Sequence, residues 1–322
     1  VSPTSESVTV AGRDYRDHPW WLRYQEFFPG GLRVSRADAP RERWWPWRGM
    51  AVHLDRVVEP EAPAKVLALH GPASYGRMLA PYGRLPAVAG LEFLAPDLPD
   101  CGLTDTGGRT ADYGMWVECV LDLINAERSV DPRPVVLLGT SLGGRLAYDV
   151  AARAPEAIAG VVVTCLPDPR RVEVRRYLAA RPELGMLASL MPLLPHPLRP
   201  LRVPTSWLAN VAAMSNHAQF AALVCGDPLG GGGRTSLELV RTCLGSAPER
   251  EPEEFTGPPL LVAHPAEDRW TPAALSRRFL DRVRAPTRYV SLTDAGHLPV
   301  EEAGLADLDR ALRDFLDELE LR

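Results

Sequence analysis

Lysine is almost missing from this chain. Of its 36 basic side chains only Lys65 is a lysine, a bias that reads as the arginine-rich coding of a GC-rich bacterial genome rather than as mechanism. An excess of basic charge is missing too. The net charge of −5 argues against nucleic acid or an anionic membrane as the main partner, since both select basic chains. No apolar run reaches the roughly 18 residues of a membrane span. The opening Val1-Ser2-Pro3-Thr4 carries no basic segment followed by an apolar stretch, so no secretory signal is expected. Cys101, Cys119, Cys165, Cys225 and Cys243 stand at wide, irregular spacings with no CxxC pair. That speaks against structural zinc or a redox dithiol, and for reduced thiols in a cytoplasmic protein. The seven histidines form no HExxH and no paired ligand spacing, so no metal site is expected. Gly230-Gly231-Gly232-Gly233 lacks the GxxxxGK[ST] of a phosphate loop and lies far from the single lysine; it reads as a flexible turn.

What is present is a globular composition. Over 322 residues the chain is 46% hydrophobic and 24% charged, average for a soluble fold with a sizeable core. From residue 51 short apolar runs alternate with helical patterns. Ala51–Val58, Val66–Leu69, Leu91–Ala95, Val135–Leu138, Ile158–Thr164, Leu260–Ala263 and Tyr289–Leu292 read as strands. Ala111–Glu127, Leu142–Arg153, a segment after Pro272 and Leu305–Leu319 read as helices. This rhythm predicts an α/β fold, a doubly wound and mostly parallel sheet. Residues 166–255 break it with Pro-rich connections and helical patterns, as expected of an inserted helical cap. The core is then 51–165 with 256–322. Residues 1–50 form an aromatic-rich arm in which Trp20, Trp21, Tyr24, Phe27 and Phe28 fall on one helix face. The plain reading packs that arm on the core; the sharper one makes it a lipophilic wall or a dimer patch.

The chemistry gathers at Gly139-Thr140-Ser141-Leu142-Gly143. A lone GxSxG is weak, but here an apolar strand precedes it and an apolar-faced helix follows. Such a turn holds the serine in a sharp bend that only small neighbours permit, and projects its hydroxyl above the carboxyl edge of the sheet. A serine needs a base, and the base an orienting acid. Asp268 follows one late strand and His297 the last, so the order is Ser…Asp…His. Asp168 is the rival acid, with Glu267 adjacent to Asp268, and His264 is the rival base. His196 and His217 in the cap could touch substrate, although solvated or packed histidines are commoner there.

With these residues in view, the chain resembles the α/β-hydrolase superfamily over about 50–165 and 255–320. The landmarks are His70-Gly71, Asp97-Leu98-Pro99-Asp100-Cys101-Gly102, the serine turn, and the aspartate and histidine loops. Met214-Ser215-Asn216 and Asp227-Pro228-Leu229-Gly230 are similar to the branch of lysophospholipases and monoacylglycerol lipases. The resemblance implies a cofactor-free serine hydrolase in which Ser141 attacks, His297 shuttles the proton and Asp268 holds the imidazole. It also implies an oxyanion hole built from the backbone N–H of Leu142 and one from the loop after His70-Gly71. Pro72 follows that pair and has no N–H to give, so Ala73 is the expected donor.

His70 and Gly71 are placed at the substrate rim, His70 as a loop organiser rather than a base. Leu190, Met191 and Leu194, within the apolar stretch Leu187–Leu194, are expected to line an acyl pocket. Arg170, Arg171, Arg175 and Arg176 could receive an anion, or form a solvated face. The expected substrate is a lipophilic carboxylic ester, with homo-oligomerisation left open. Acyl transfer, thioester cleavage, lactone formation or another tailoring reaction on the same triad is the alternative, and a binding protein on a retained hydrolase fold is a third. Epoxide hydrolases and haloalkane dehalogenases are disfavoured, because they place a carboxylate where Ser141 stands.

Overall fold

The computed structural model describes residues 14–322; the Val1–Thr4 reading falls outside them. Eight strands form the main sheet: β1 (Arg41–Trp47), β2 (Met50–Val57), β3 (Lys65–Leu69), β4 (Glu92–Pro96), β5 (Val135–Gly139), β6 (Gly160–Val163), β9 (Leu260–Pro265) and β10 (Thr287–Leu292). Their order is β1-β2-β4-β3-β5-β6-β9-β10. β1 pairs antiparallel with β2 and β2 with β4; all the other pairs are parallel.

The apolar runs are continuous because the inner strands are covered on both faces. Alternate residues divide between two cores. Val66, Ala68, Val136, Leu138, Leu261 and Ala263 face one side, with α1 (Trp20–Tyr24) and α10 (Glu302–Glu318). Leu67, Leu69, Val135, Leu137, Leu260 and Val262 face the other, with α2 (Tyr113–Val130), α3 (Leu142–Arg153) and α9 (Ala273–Leu280).

The division expected at residue 50 is not where the sheet begins. β1 lies inside the aromatic arm, its register running through Pro46↔Ala51. Proline interrupts the sequence pattern but is tolerated on an edge strand, whose outer side needs no amide donor. Aromatic side chains among the described residues of the arm pack into the core. Trp21, Tyr24 and Phe28 are buried in the core, and Tyr24 donates its hydroxyl to Asp227 in the cap at 2.7 Å. None of these three lines the cavity that borders Ser141.

A buried ionic cluster fastens the arm. Tyr15 donates to Asp97 at 2.7 Å. His53 lies 2.9 Å from Glu42 and 3.1 Å from Asp97, and Arg77 pairs with Asp55 and Glu42. Glu42, His53 and Asp55 come close enough together to hold a cation, but Arg77 already supplies their countercharge. Burial opposes charge on His53, yet the surrounding carboxylates push it up to about 10.

Between β6 and β9 the chain leaves the sheet. It builds α4 (Val172–Leu178), α5 (Pro182–Leu187), β7 (Arg202–Pro204), α6 (Thr205–Leu208), α7 (Ala218–Gly226), β8 (Arg234–Ser236) and α8 (Leu237–Gly245). The antiparallel pair β7–β8 is too short to leave a pattern in sequence. The four-glycine run is a hydrogen-bonded turn, not a loose one. Gly230 and Gly232 donate to the Asp227 carbonyl, and Gly233 donates to that of Gly230.

Candidate active site

The parallel strands end on one edge, and the residues singled out from the sequence follow those ends. Ser141 sits between β5 and α3 at φ 55°, ψ −130°. This is a region that costs a non-glycine residue on the order of 1–3 kcal/mol and persists only where the surroundings enforce it. They do so here through close approach. A Cβ at Gly139 would run into the Gly143 carbonyl, and one at Gly143 into the Leu69 carbonyl. The Thr140 amide donates to Leu69 at 2.9 Å and the Ser141 amide to Thr164 Oγ1 at 3.2 Å. The Leu142 and Ala73 amides have no acceptor among the described residues. Ala73 itself is held at φ 64°.

His297 follows β10 and Asp268 follows β9. His297 Nδ1 donates to Asp268 Oδ2 at 2.9 Å. The carboxylate also accepts the Trp270 and Thr271 amides, each at 2.8 Å on Oδ1, and the Thr271 hydroxyl at 2.7 Å on Oδ2. Burial alone would raise this carboxyl. The His297 imidazole and the Thr271 donors outweigh it and hold Asp268 below the usual carboxylate range. With the proton on Nδ1, His297 Nε2 is left as a lone pair. It is buried and makes no hydrogen bond among the described residues, an exception that calls for an explanation in a folded protein. Glu301 accepts the Gly296 and Val300 amides, at 3.2 and 3.0 Å, and shapes the histidine loop.

Asp168 is not beside this histidine. It is paired with Arg170, which also holds Glu251. His264 is buried, with Nδ1 against the Pro265 carbonyl at 3.0 Å, and burial lowers its basicity.

Ser141 and Leu142 open onto a cavity of 250 Å³ walled by Pro72, Ala73 and Trp270 from the core, and by cap side chains such as Leu187, Met191, Leu208 and Leu239. The Trp270 ring lies 4.8 Å from the His297 ring, and its indole N–H donates to the Leu178 carbonyl of the cap at 3.2 Å.

Four of the residues expected at the substrate lie outside this cavity. His70 and Gly71 do not line the cavity. His70 is fully buried and ties two loops, with Nδ1 on the Gly71 carbonyl at 2.8 Å and Nε2 accepting the Leu98 amide at 3.0 Å. Gly71 lies against the serine turn, where a Cβ would come within 3.1 Å of the Leu142 nitrogen. Of Leu190, Met191 and Leu194, only Met191 lines the cavity. The cause is the 3₁₀ turn Ala188–Leu193, which superposes i and i+3. Ala188 and Met191 therefore face inward, while Leu190 and Leu193 face out at 58% and 77% exposure. Leu194 is half-buried outside the cavity.

The basic cluster is divided. Arg175 lines the cavity with its guanidinium clipped to the Pro169 and Leu244 carbonyls, and Arg171 and Arg176 are exposed. Leu239, Val240, Cys243 and Leu244, absent from the residues expected at the substrate, also wall the cavity, and their spacing along α8 is that of one helix face.

Comparison with known proteins bears on this geometry. Residues 66–311 match the family model described as the alpha/beta hydrolase family. The chain belongs to that family. Among curated proteins it is 25% identical over 244 residues to epoxide hydrolase 3 of Xenopus tropicalis, covering 71% of this chain and 65% of that protein's length. Among solved structures, the monoacylglycerol lipase of Paleococcus ferrophilus superposes with a TM-score of 0.66 at 20% identity, over 83% of this chain and 99% of that one. A soluble variant of the Saccharomyces cerevisiae monoglyceride lipase, bound to a substrate analogue, gives 0.68 at 14% identity, over 91% and 98%. At these identities the structural likeness speaks for the fold. Among the described residues no helix is long and apolar enough to cross a membrane, and all five cysteines are unpaired.

Proposed function

We propose that this alpha/beta hydrolase is a serine hydrolase that cleaves a carboxylic ester of a lipophilic small molecule through an acyl-enzyme. The observation that carries the reading is at His297. One ring nitrogen is spent on Asp268 while the other is buried without a partner, one ring away from the cavity onto which Ser141 opens. A lone pair so placed is a base awaiting a proton.

In this mechanism Ser141 Oγ adds to the ester carbonyl as its proton passes to His297 Nε2. Asp268 stays ionised and stabilises the imidazolium. The negative oxygen of the tetrahedral intermediate accepts the Leu142 and Ala73 amides, which have no other acceptor among the described residues. The intermediate collapses, and the alcohol departs with the proton from His297. Water, deprotonated by the same nitrogen, then attacks the acyl carbonyl; the acid leaves and Ser141 regains its proton. The apolar walls supply the preference for a lipophilic acyl group, and the two lipase neighbours are in keeping with it. The epoxide hydrolase relative does not redirect the assignment, because the strained turn carries a hydroxyl at Ser141 and no carboxylate. The unpaired thiols fit a reducing compartment, and we propose the cytoplasm.

A fluorophosphonate probe is expected to label the wild-type chain and to leave Ser141→Ala unlabelled. Labelling that persists in the variant contradicts the proposal.

A further inference from the structure

A second, smaller chamber of 150 Å³ lies against the apolar one and shares Pro72, Ala73, Thr205, Thr235 and Leu239 with it. Its character is different. It gathers Asp100 from the loop after β4 and two arginines from the β7–β8 pair, Arg202 and Arg234. The register Arg202↔Ser236 and Pro204↔Arg234 sets these arginines at opposite ends of a three-residue ladder. Each guanidinium donates to the other's backbone carbonyl. Asp100 is ion-paired with Arg202, whereas Arg234 has no carboxylate partner among the described residues.

The Asp100 side chain is 7% exposed and its backbone is held at φ 73°. Its Oδ2 is buried with no hydrogen-bond partner among the described residues. Burial pushes this carboxyl up, against the pull of Arg202 and the Ser236 amide. One of the two guanidinium groups bordering the chamber is therefore paired with its single carboxylate and the other is not, and that carboxylate keeps an unused acceptor.

Each ligand class meets these groups differently. An ammonium would satisfy Oδ2 but meet two guanidinium charges. An alkyl group would leave the buried Oδ2 unpaired, which is costly, and would offer nothing to the exposed guanidinium of Arg234. A hydroxyl donates to Oδ2, and an anionic oxygen beside it accepts from Arg234 in the charge-assisted geometry guanidinium favours.

We propose that this chamber receives the alcohol half of the ester, and that this alcohol carries a free hydroxyl and an anionic oxyacid group, carboxylate or phosphate. The inference rests on the ester-hydrolase reading above and names the substrate class within it. Ala73, the only one of the two expected oxyanion donors that borders both chambers, marks where the scissile carbonyl sits. The acyl chain extends from it into the apolar chamber and the leaving alcohol into the polar one.

The test compares kcat/KM for four octanoyl esters: ethyl octanoate, and the monoesters of glycerol, glycerate and glycerol phosphate. Wild type is read beside Arg234→Gln and Asp100→Asn. Arg310→Gln, the same charge change on an exposed helix, serves as control, and thermal melts check that each variant is folded. Wild type is expected to favour glycerate, glycerol phosphate or both over neutral glycerol by about tenfold or more, the scale of a hydrogen bond to a charged group. Whichever anion is preferred identifies the source. The preference should collapse toward unity in Arg234→Gln and persist in Arg310→Gln. Asp100→Asn should reduce turnover of the hydroxylated esters relative to ethyl octanoate. If all four esters turn over equally in a Ser141-dependent manner, the chamber assignment is overturned and the hydrolase reading stands. If no ester turns over in a Ser141-dependent manner, the hydrolase reading falls and this inference with it.

Discussion

The cavity beside Ser141 has two walls built on different principles. The core wall comes from loops at the ends of β3, β5 and β9. There the backbone is held by close carbonyl approaches and by hydrogen bonds such as Thr140 to Leu69 and Trp270 to Asp268. The cap wall comes from elements of three to nine residues, with Leu187 58% exposed at its edge. On the core side the backbone decides where a reacting atom sits. On the cap side it is the phase of a short helix, and a shift of one residue changes which side chain reaches the substrate. Reaction and selectivity should therefore respond to substitution separately.

The largest expected effects lie on the core wall. Asp268→Asn removes the acceptor that fixes the His297 tautomer, and kcat should fall about 10⁴-fold. Asp168→Asn, at the rival acid, should change kcat by no more than severalfold, because Asp168 is spent on Arg170. Steady-state kinetics on a p-nitrophenyl ester distinguish the two; comparable losses would break the division between walls. On the cap wall, Met191→Trp fills the cavity and is expected to lower kcat/KM about tenfold for long acyl chains while sparing acetate. Leu190→Trp, one residue away but facing out, should alter neither.

The smallest effect lies away from both walls, in the cluster that holds the arm. His53 is pushed up to about 10 by its carboxylate neighbours, above its unfolded value near 6.5. A raised folded pKa gives stability fully present below about pH 6.5 and lost as pH rises through about 10. Asp55, raised by burial to about 6, has finished titrating before that window. The melting temperature of wild type should fall by a few degrees from about pH 7 to 8.5, below the range in which the buried thiols Cys101, Cys119, Cys165 and Cys243 contribute, and His53→Gln should lose most of that slope.

What could be read in advance follows the same division. α3 begins and ends where its sequence pattern does, Leu142–Arg153. The inner strands are legible because burial on both faces makes them continuously apolar. Pro46 hid β1, since a strand interrupted by proline shows no alternation. β7 and β8 span three residues each, fewer than a periodicity needs. That Leu190 turns away from the cavity is not legible, because an apolar run does not announce whether it winds as an α-helix or a 3₁₀ turn, and Leu194 lies past the end of that turn in extended backbone. The Asp100, Arg202 and Arg234 chamber was hidden for another reason: its groups lie more than a hundred residues apart in part and meet only through the β7–β8 register.

The central claim, that Ser141 becomes acylated with His297 as its base, is tested most directly by rapid mixing with p-nitrophenyl octanoate followed by peptide mass spectrometry. The account predicts a burst of nitrophenol approaching one equivalent per chain and an octanoyl group on the peptide bearing Ser141, with both lost in His297→Gln. Turnover with no acyl adduct, or an adduct on another residue, would contradict it.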